Sequence, residues 1–511
     1  MTQTSSFPAS LRPLVRPSVI LGLATLVLHL AAAGGYGFFR DELYFIVCGQ
    51  RLAWGYVDQP PLIPLISRFL WQAGGGSLWV FQLCPAIVMA VTVALTAEFA
   101  AALGGGVFAQ ALAGLCAFGA PVLLIDGTLL TTDLLQPLTW MGCAWCLVKL
   151  AQTGNEKWWL AFGAFAGVSV LGKYLFAFFL AGIFVGILAT PLRRSFLKPW
   201  LWLGALLALV IVSPNLLWQY QHGWPFAELA RAGVEWKNRV LPPGAYLAQE
   251  VLMMGPLAAP VWILGLWAFG IRPKLAAYRA FAVAWVVVVA LAILVHGKDY
   301  YAAPLYPILL AGGGVWLEGV MKRTISRAAY AGALAVLSLF FAPLGVPILP
   351  VDSFIRFEQM LHLSSSAGTS ERSALGELPQ YYADQFGWRE MAEKVAAVYH
   401  ALPPADQAQA VFFGRNYGEA AAIDMFGRPL GLPPAISGHN NYYLWGPMGH
   451  NANVVIVAGG KPDEYRAAYQ DVTVAGRIDN PYAMPYETNI PVYVLRGLKV
   501  PFNWKGLKHF E

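Results

Sequence analysis

Charge is scarce in this chain. Asp, Glu, Lys and Arg make up 12% of its 511 residues, where a soluble globular protein carries about 25%. Hydrophobic residues make up 58%, and the mean hydropathy is +0.54. This balance excludes a disordered chain and argues against a wholly soluble enzyme. Cysteine is scarce too. All five cysteines precede residue 147, so the rest of the chain has no disulfide framework. Cys143 and Cys146 form a C-x-x-C inside an apolar run, with no second pair and no His beside it. They read as small packing residues in a span. The net charge is only +6, and its distribution fits membrane topology better than nucleic-acid binding, so no nucleic-acid partner is expected.

Apolar runs of spanning length are what the chain does have. A transmembrane helix needs about 20 mostly apolar residues. About eleven candidate stretches occur, near 16–37, 78–101, 107–125, 129–149, 157–172, 174–191, 200–217, 246–270, 279–296, 302–319 and 326–347. The first lacks a small-residue cleavage site and is followed at once by Arg-Asp-Glu, so it reads as a span and not as a cleaved signal. Basic residues concentrate on one side of the pattern, at Arg12, Arg16, Lys149, Lys157, Arg193, Arg194, Lys198, Arg272, Lys274, Arg279, Lys322, Arg323 and Arg327. By the positive-inside rule this side is cytoplasmic. Nearly every acid falls on the other side. The expected fold is a multi-span helical membrane domain over 1–348, followed by an α/β domain over 349–511. An odd span count puts that second domain outside the cytoplasm, at the cell (inner) membrane.

The C-terminal part reads as α/β for local reasons. Residues 386–402 have helical periodicity, and 410–414, 453–459 and 491–497 are short strand-like runs. The polar stretch 364–373 reads as a linker.

Ionisable groups near membrane depth are costly, so they are functional candidates by default. Four clusters fall on the outer side. FFRDELYF carries Asp41 and Glu42 directly after the first span. GYVDQPPLIPL carries Asp58 and Gln59 before two prolines that fix an extended backbone. DGTLLTTDLL carries Asp126 and Asp133, where the competing reading is N-capping of the next helix by Thr132 or Asp133. HGKDYYAAPLYP carries Lys298, Tyr300 and Tyr301, where the competing reading is a lysine snorkelling to headgroups. Lys173, in LGKY, joins the set. A partly desolvated carboxylate can take a proton from a hydroxyl nucleophile. Cations and hydroxyls can hold a phosphate leaving group. A second carboxylate can orient the acceptor or bind a divalent cation, which makes a metal at Asp133 the one cofactor considered. Such a site facing outward would need an activated sugar on a lipid carrier. Outer-loop aromatics (Tyr44, Trp54, Tyr56, Trp224, Trp236, Tyr300) are candidates for stacking on sugar.

Together, FFRDELYF, GYVDQPP, TTDLL and GKDYYAAPLYP resemble a bacterial glycosyltransferase of the GT-C fold. The group is family 39, protein mannosyltransferase-like and related to the lipid A aminoarabinose transferases. The resemblance covers roughly 15–345, and 416–447 (NYGEAAAIDMFGRPLGLPPAISGHNNYYLWGP) is similar to the extracytoplasmic domain of such proteins. It implies an inverting transferase using a polyprenyl-phosphate sugar, with a lipid, glycan or protein acceptor. Asp41 matches the catalytic aspartate, the general base, with Glu42 beside it. Asp133 matches a second acidic position. Lys298 and Tyr301 match a Lys and Tyr near the donor phosphate, and Lys173 matches a further basic position. One departure matters: the aminoarabinose enzymes carry Glu-Lys-Pro where this chain has Asp58-Gln59-Pro60. Donor phosphate would then rely on Lys298, Lys173 or the basic loop of Arg231, Lys237 and Arg239. The competing functions are a secondary transporter and a polysaccharide polymerase or ligase. The gathering of charge at one face and the Asp41-Glu42 pair after the first span favour the transferase.

Overall fold

The computed structural model describes residues 16–363 and 371–510. Most of the linker stretch 364–373, and Arg12, lie outside the described residues. The chain divides into two units, one of Met1–Gly35, Trp79–Leu216 and Val240–Leu349, the other of Tyr36–Leu78, Leu217–Arg239 and Pro350–Glu511.

The first unit is helical. Each of the apolar stretches carries helix, but the lengths differ. Four helices are long and apolar enough to cross a membrane, namely Leu78–Ala102, Pro199–Gln221, Leu275–Leu294 and Thr324–Leu344. Two broken pairs, Phe176–Leu188 with Pro191–Leu197 and Pro243–Met254 with Ala259–Ile271, raise that to six if each is one span. Pro17–Ala32, Val107–Phe118 and Trp158–Gly172 are apolar but shorter. Breaks follow sequence: Pro121 restarts the chain after Gly119, and Pro304 and Pro307 sit at the entry to Tyr306–Val320. Cys143 and Cys146 are buried, unpaired core residues.

Glycine lets helices in this unit touch backbone to backbone, the usual device where lipid supplies no hydrophobic drive. A Cβ on Gly313 would collide with the Val261 carbonyl, and one on Gly265 with the Leu309 carbonyl. Gly313→Ala is therefore expected to cost at least about 1–3 kcal/mol, the scale of core overpacking. Gly332→Ala, with nothing within 4 Å of the added carbon, should be neutral or slightly stabilising. Melting temperatures of the detergent-purified variants check this, and equal melting of both would refute the close approach.

The second unit contains a four-stranded sheet of β1 (Ala410–Phe413), β2 (Val454–Ala458), β3 (Tyr469–Ile478) and β4 (Ile490–Leu498), in the order β1-β2-β4-β3. β1 and β2 are parallel, and the other two pairings antiparallel. Val411, Val455, Val457, Tyr493 and Leu495 form one core cluster on the sheet. The helix expected near 386–402 is Trp388–His400. β3 escaped the sequence reading because most of its residues are solvent-facing or half-buried and its pairing shifts between Val474 and Gly476.

The stretch after the first span, which holds the outer-loop aromatics Tyr44, Trp54 and Tyr56, is not loop throughout. It contains two helices, Arg40–Gln50 and Leu62–Gly74. The first begins where the Glu42 carboxylate reaches back to accept the Phe39 backbone N–H at 2.9 Å. Asp41 and Glu42 also place negative charge in the first turn, where the helix dipole favours it. The second ends at Gly75, whose φ of 55° is left-handed.

Candidate functional site

In the second unit the candidate residues gather around the start of the Arg40–Gln50 helix. The approach is close: a Cβ on Gly37 would strike the Gln385 carbonyl. The Arg40 backbone N–H donates to the Asp384 carbonyl at 2.9 Å. The Arg40 guanidinium lies 3.5 Å from Asp384 Oδ2, 2.9 Å from the Tyr486 hydroxyl and 3.4 Å from Asp41 Oδ1. Burial opposes its charge, but Asp384, Tyr417, Tyr486 and Asp41 more than offset that and hold its pKa well above the usual value. Burial pushes the Asp384 carboxyl up to about 6, with Arg40 pulling the other way.

Asp41 Oδ1 accepts a second, shorter hydrogen bond from the Tyr417 hydroxyl, at 2.7 Å. Among the described residues Oδ2 accepts none, and the side chain is 31% exposed. Glu42, its neighbour, is turned inward and fully buried, with the Phe39 amide as one partner. The two acids that the sequence set side by side thus have different surroundings.

Asp58 belongs to the same cluster. Its Oδ1 accepts from the Tyr44 hydroxyl at 3.0 Å. That hydroxyl accepts the Asn441 backbone N–H at 3.2 Å, and the Asn441 side chain accepts the Val57 N–H at 2.6 Å. Burial pushes Asp58 up to about 7, with the Tyr44 hydrogen bond acting the other way. Gln59 is fully buried, and neither atom of its amide finds a partner among the described residues. Tyr44 and Tyr56 are buried as well, so they are not exposed platforms for sugar. Trp54, Trp224 and Trp236 are exposed.

The first unit holds the other candidates together. Lys173 Nζ lies 2.5 Å from Asp133 Oδ2. It also lies 5.2 Å from the Tyr300 ring centre and 5.7 Å from that of Tyr301. Lys298 Nζ lies 5.8 Å from the Tyr300 ring centre on its own account. The helix Gln136–Thr153 has Leu135 as its N-cap and no side-chain cap bond. Neither Thr132 nor Asp133 therefore caps it, and Asp133 serves as the partner of Lys173. Asp126 is buried at the end of Pro121–Asp126.

Asp133 was the candidate for a divalent cation. Its Oδ2 is engaged by the Lys173 ammonium, and among the described residues no group of three or more His, Cys, Asp or Glu side chains gathers there.

Several groups escaped the sequence reading. Tyr417, Asp384 and Tyr486 lie hundreds of residues from Asp41, and hydropathy carries no signal for that pairing. Tyr417 and Asn441 do fall in the 416–447 run singled out for its resemblance. Glu250, fully buried on Pro243–Met254, accepts from the Tyr306 hydroxyl at 2.5 Å. Tyr246, on the same helix, donates to the Lys298 carbonyl at 3.2 Å.

Residues 58–218 match the model of the dolichyl-phosphate-mannose-protein mannosyltransferase family. Among characterised proteins, the lipid A galacturonosyltransferase RgtD of Rhizobium johnstonii is 23% identical over 206 residues, 40% of this chain. The chain spans 43% of that relative's length. Two solved structures cover nearly all of it. ArnT from Cupriavidus metallidurans bound to undecaprenyl phosphate aligns over 93% of this chain and 97% of its own, at 15% identity and a TM-score of 0.60. The apo form aligns over 95% and 98%, at 16% identity and 0.58. The chain therefore has the GT-C fold of a membrane protein. The matches bear out the resemblance read from its motifs, to family 39 glycosyltransferases related to lipid A transferases.

Proposed function

We propose that the protein is an integral-membrane glycosyltransferase that moves a sugar from a polyprenyl-phosphate donor to an acceptor hydroxyl at the outer face of the inner membrane. The observation that carries this is Asp41: a part-exposed carboxylate with Oδ1 anchored and Oδ2 without a partner among the described residues. The acceptor oxygen attacks the anomeric carbon from the side opposite the phosphate. The new C–O bond forms, the bond to the phosphate oxygen breaks, and the acceptor proton passes to Asp41. One in-line displacement inverts the anomeric centre. Correct placement of such a base matters before its basicity.

The leaving group is a lipid phosphate, whose charge needs cations. Lys298 and Lys173 both lie against the Tyr300 ring, at 5.8 and 5.2 Å, and Lys298 is the residue that the resemblance sets near the donor phosphate, so it takes this role. Names among the relatives support this donor class: one structure holds undecaprenyl phosphate, and another relative acts on lipid A. The Gln59 departure argues against aminoarabinose as the sugar. The acceptor class is lipid, glycan or protein.

This reading requires the acidic clusters and the C-terminal segment to lie outside the cytoplasm. Reporter fusions after residues 195, 275 and 324 should read cytoplasmic, and fusions after 235 and 450 extracytoplasmic. A cytoplasmic signal at 450 would overturn it, because Asp41 would then face a compartment without the lipid-linked donor's sugar.

A further inference from the structure

The Asp41 carboxylate does not hold its own orientation. A carboxylate turns broadly about its last torsion, and Arg40, its neighbour in sequence, reaches Oδ1 only at 3.4 Å. The closer hold on Oδ1 comes from 376 residues further along the chain. Tyr417 opens the short helix Tyr417–Ala422, fixed by Asn416, whose side chain accepts the Glu419 N–H at 2.9 Å. The Tyr417 N–H itself donates to His439 Nδ1 at 3.3 Å. The Tyr417 ring packs 4.7 Å from that of Tyr44, and the Arg40 guanidinium lies 5.4 Å from its centre. Gly418 leaves the room Arg40 needs: a Cβ there would come within 2.5 Å of Arg40 Cγ. Ring and backbone being held, the hydroxyl is aimed, and its 2.7 Å bond to Oδ1 is shorter than the 3.4 Å contact from Arg40.

We propose that Tyr417 is the positioning residue of the catalytic carboxylate, holding Oδ1 of Asp41 so that Oδ2 is the oxygen that takes the acceptor proton. This rests on Asp41 being the base. It gives the C-terminal segment a part in the reaction: a side chain from that segment completes the geometry of a group at the first helix after the opening span. A tyrosine here merely for packing would contribute through its ring, which Phe retains.

The test compares full-length wild type, Tyr417→Phe, Asp41→Asn and the double variant, with a polyprenyl-phosphate sugar as donor. Tyr417→Phe should lower kcat about 10- to 100-fold, the scale of a misplaced reacting group. Donor KM and melting temperature should stay near wild type. In the Asp41→Asn background the same change should have no further effect, since the two residues act as a unit. Wild-type kcat in Tyr417→Phe, or an equal loss in both backgrounds, overturns the assignment of Tyr417 while leaving Asp41 as base. Normal turnover by Asp41→Asn removes the base itself, and with it the inference.

Discussion

Asp41→Asn should yield a folded protein whose transfer rate is roughly 10²–10⁴-fold lower, the usual scale of a lost general base. Asn keeps an oxygen that accepts from Tyr417, and Arg40 keeps Asp384 and Tyr486. The side chain is also partly exposed, so little packing is lost. Glu42→Gln should be much milder, because Gln retains an acceptor for the Phe39 amide. Steady-state transfer by the two purified variants checks the pair. Near-normal turnover by Asp41→Asn would remove it from the mechanism.

Lys298→Ala should raise the donor KM about 10- to 150-fold, the range that follows from losing a hydrogen bond to a charged group of about 1.5–3 kcal/mol. At saturating donor, kcat should change less. Lys173→Ala is a less clean probe, since it strands Asp133 beside the two tyrosines. Leaving a partly buried charge unpaired costs stability in its own right. Donor titrations of both variants decide the matter: unchanged KM in each would mean that the phosphate is held elsewhere, with the basic loop of Arg231, Lys237 and Arg239 next in line.

The sequence made the membrane character legible because hydropathy is read residue by residue. It overstated the regularity of the helices. The break between Phe118 and Pro121 is marked by Gly119 and Pro121, and the bend between Met254 and Ala259 by Gly255, but a sliding hydropathy window averages over such single residues. In the C-terminal segment, buried runs such as Val454–Ala458 were visible, while β3 was not, since a largely exposed strand alternates weakly. Local motifs supplied Asp41 and Asp58 in the second unit and Asp133, Lys173 and Lys298 in the first. The Lys173–Asp133 pair joins residues 40 apart, and the Tyr417–Asp41 bond residues 376 apart. Single-sequence patterning carries no term for such contacts. Asp41 and Glu42 are adjacent in sequence, but the step of about 100° between consecutive helix residues sends their side chains to different environments, one part-exposed and one buried.

A transfer assay decides whether the protein is an inverting glycosyltransferase. Purified protein is given a polyprenyl-phosphate sugar labelled in the sugar, together with lipid, glycan and protein acceptor fractions from the envelope. Label should leave the lipid carrier for one acceptor class with inverted anomeric configuration, releasing polyprenyl phosphate, and Asp41→Asn should prevent this. Label that stays on the carrier with folded protein and every acceptor class, or that moves with retained configuration, would rule this function out.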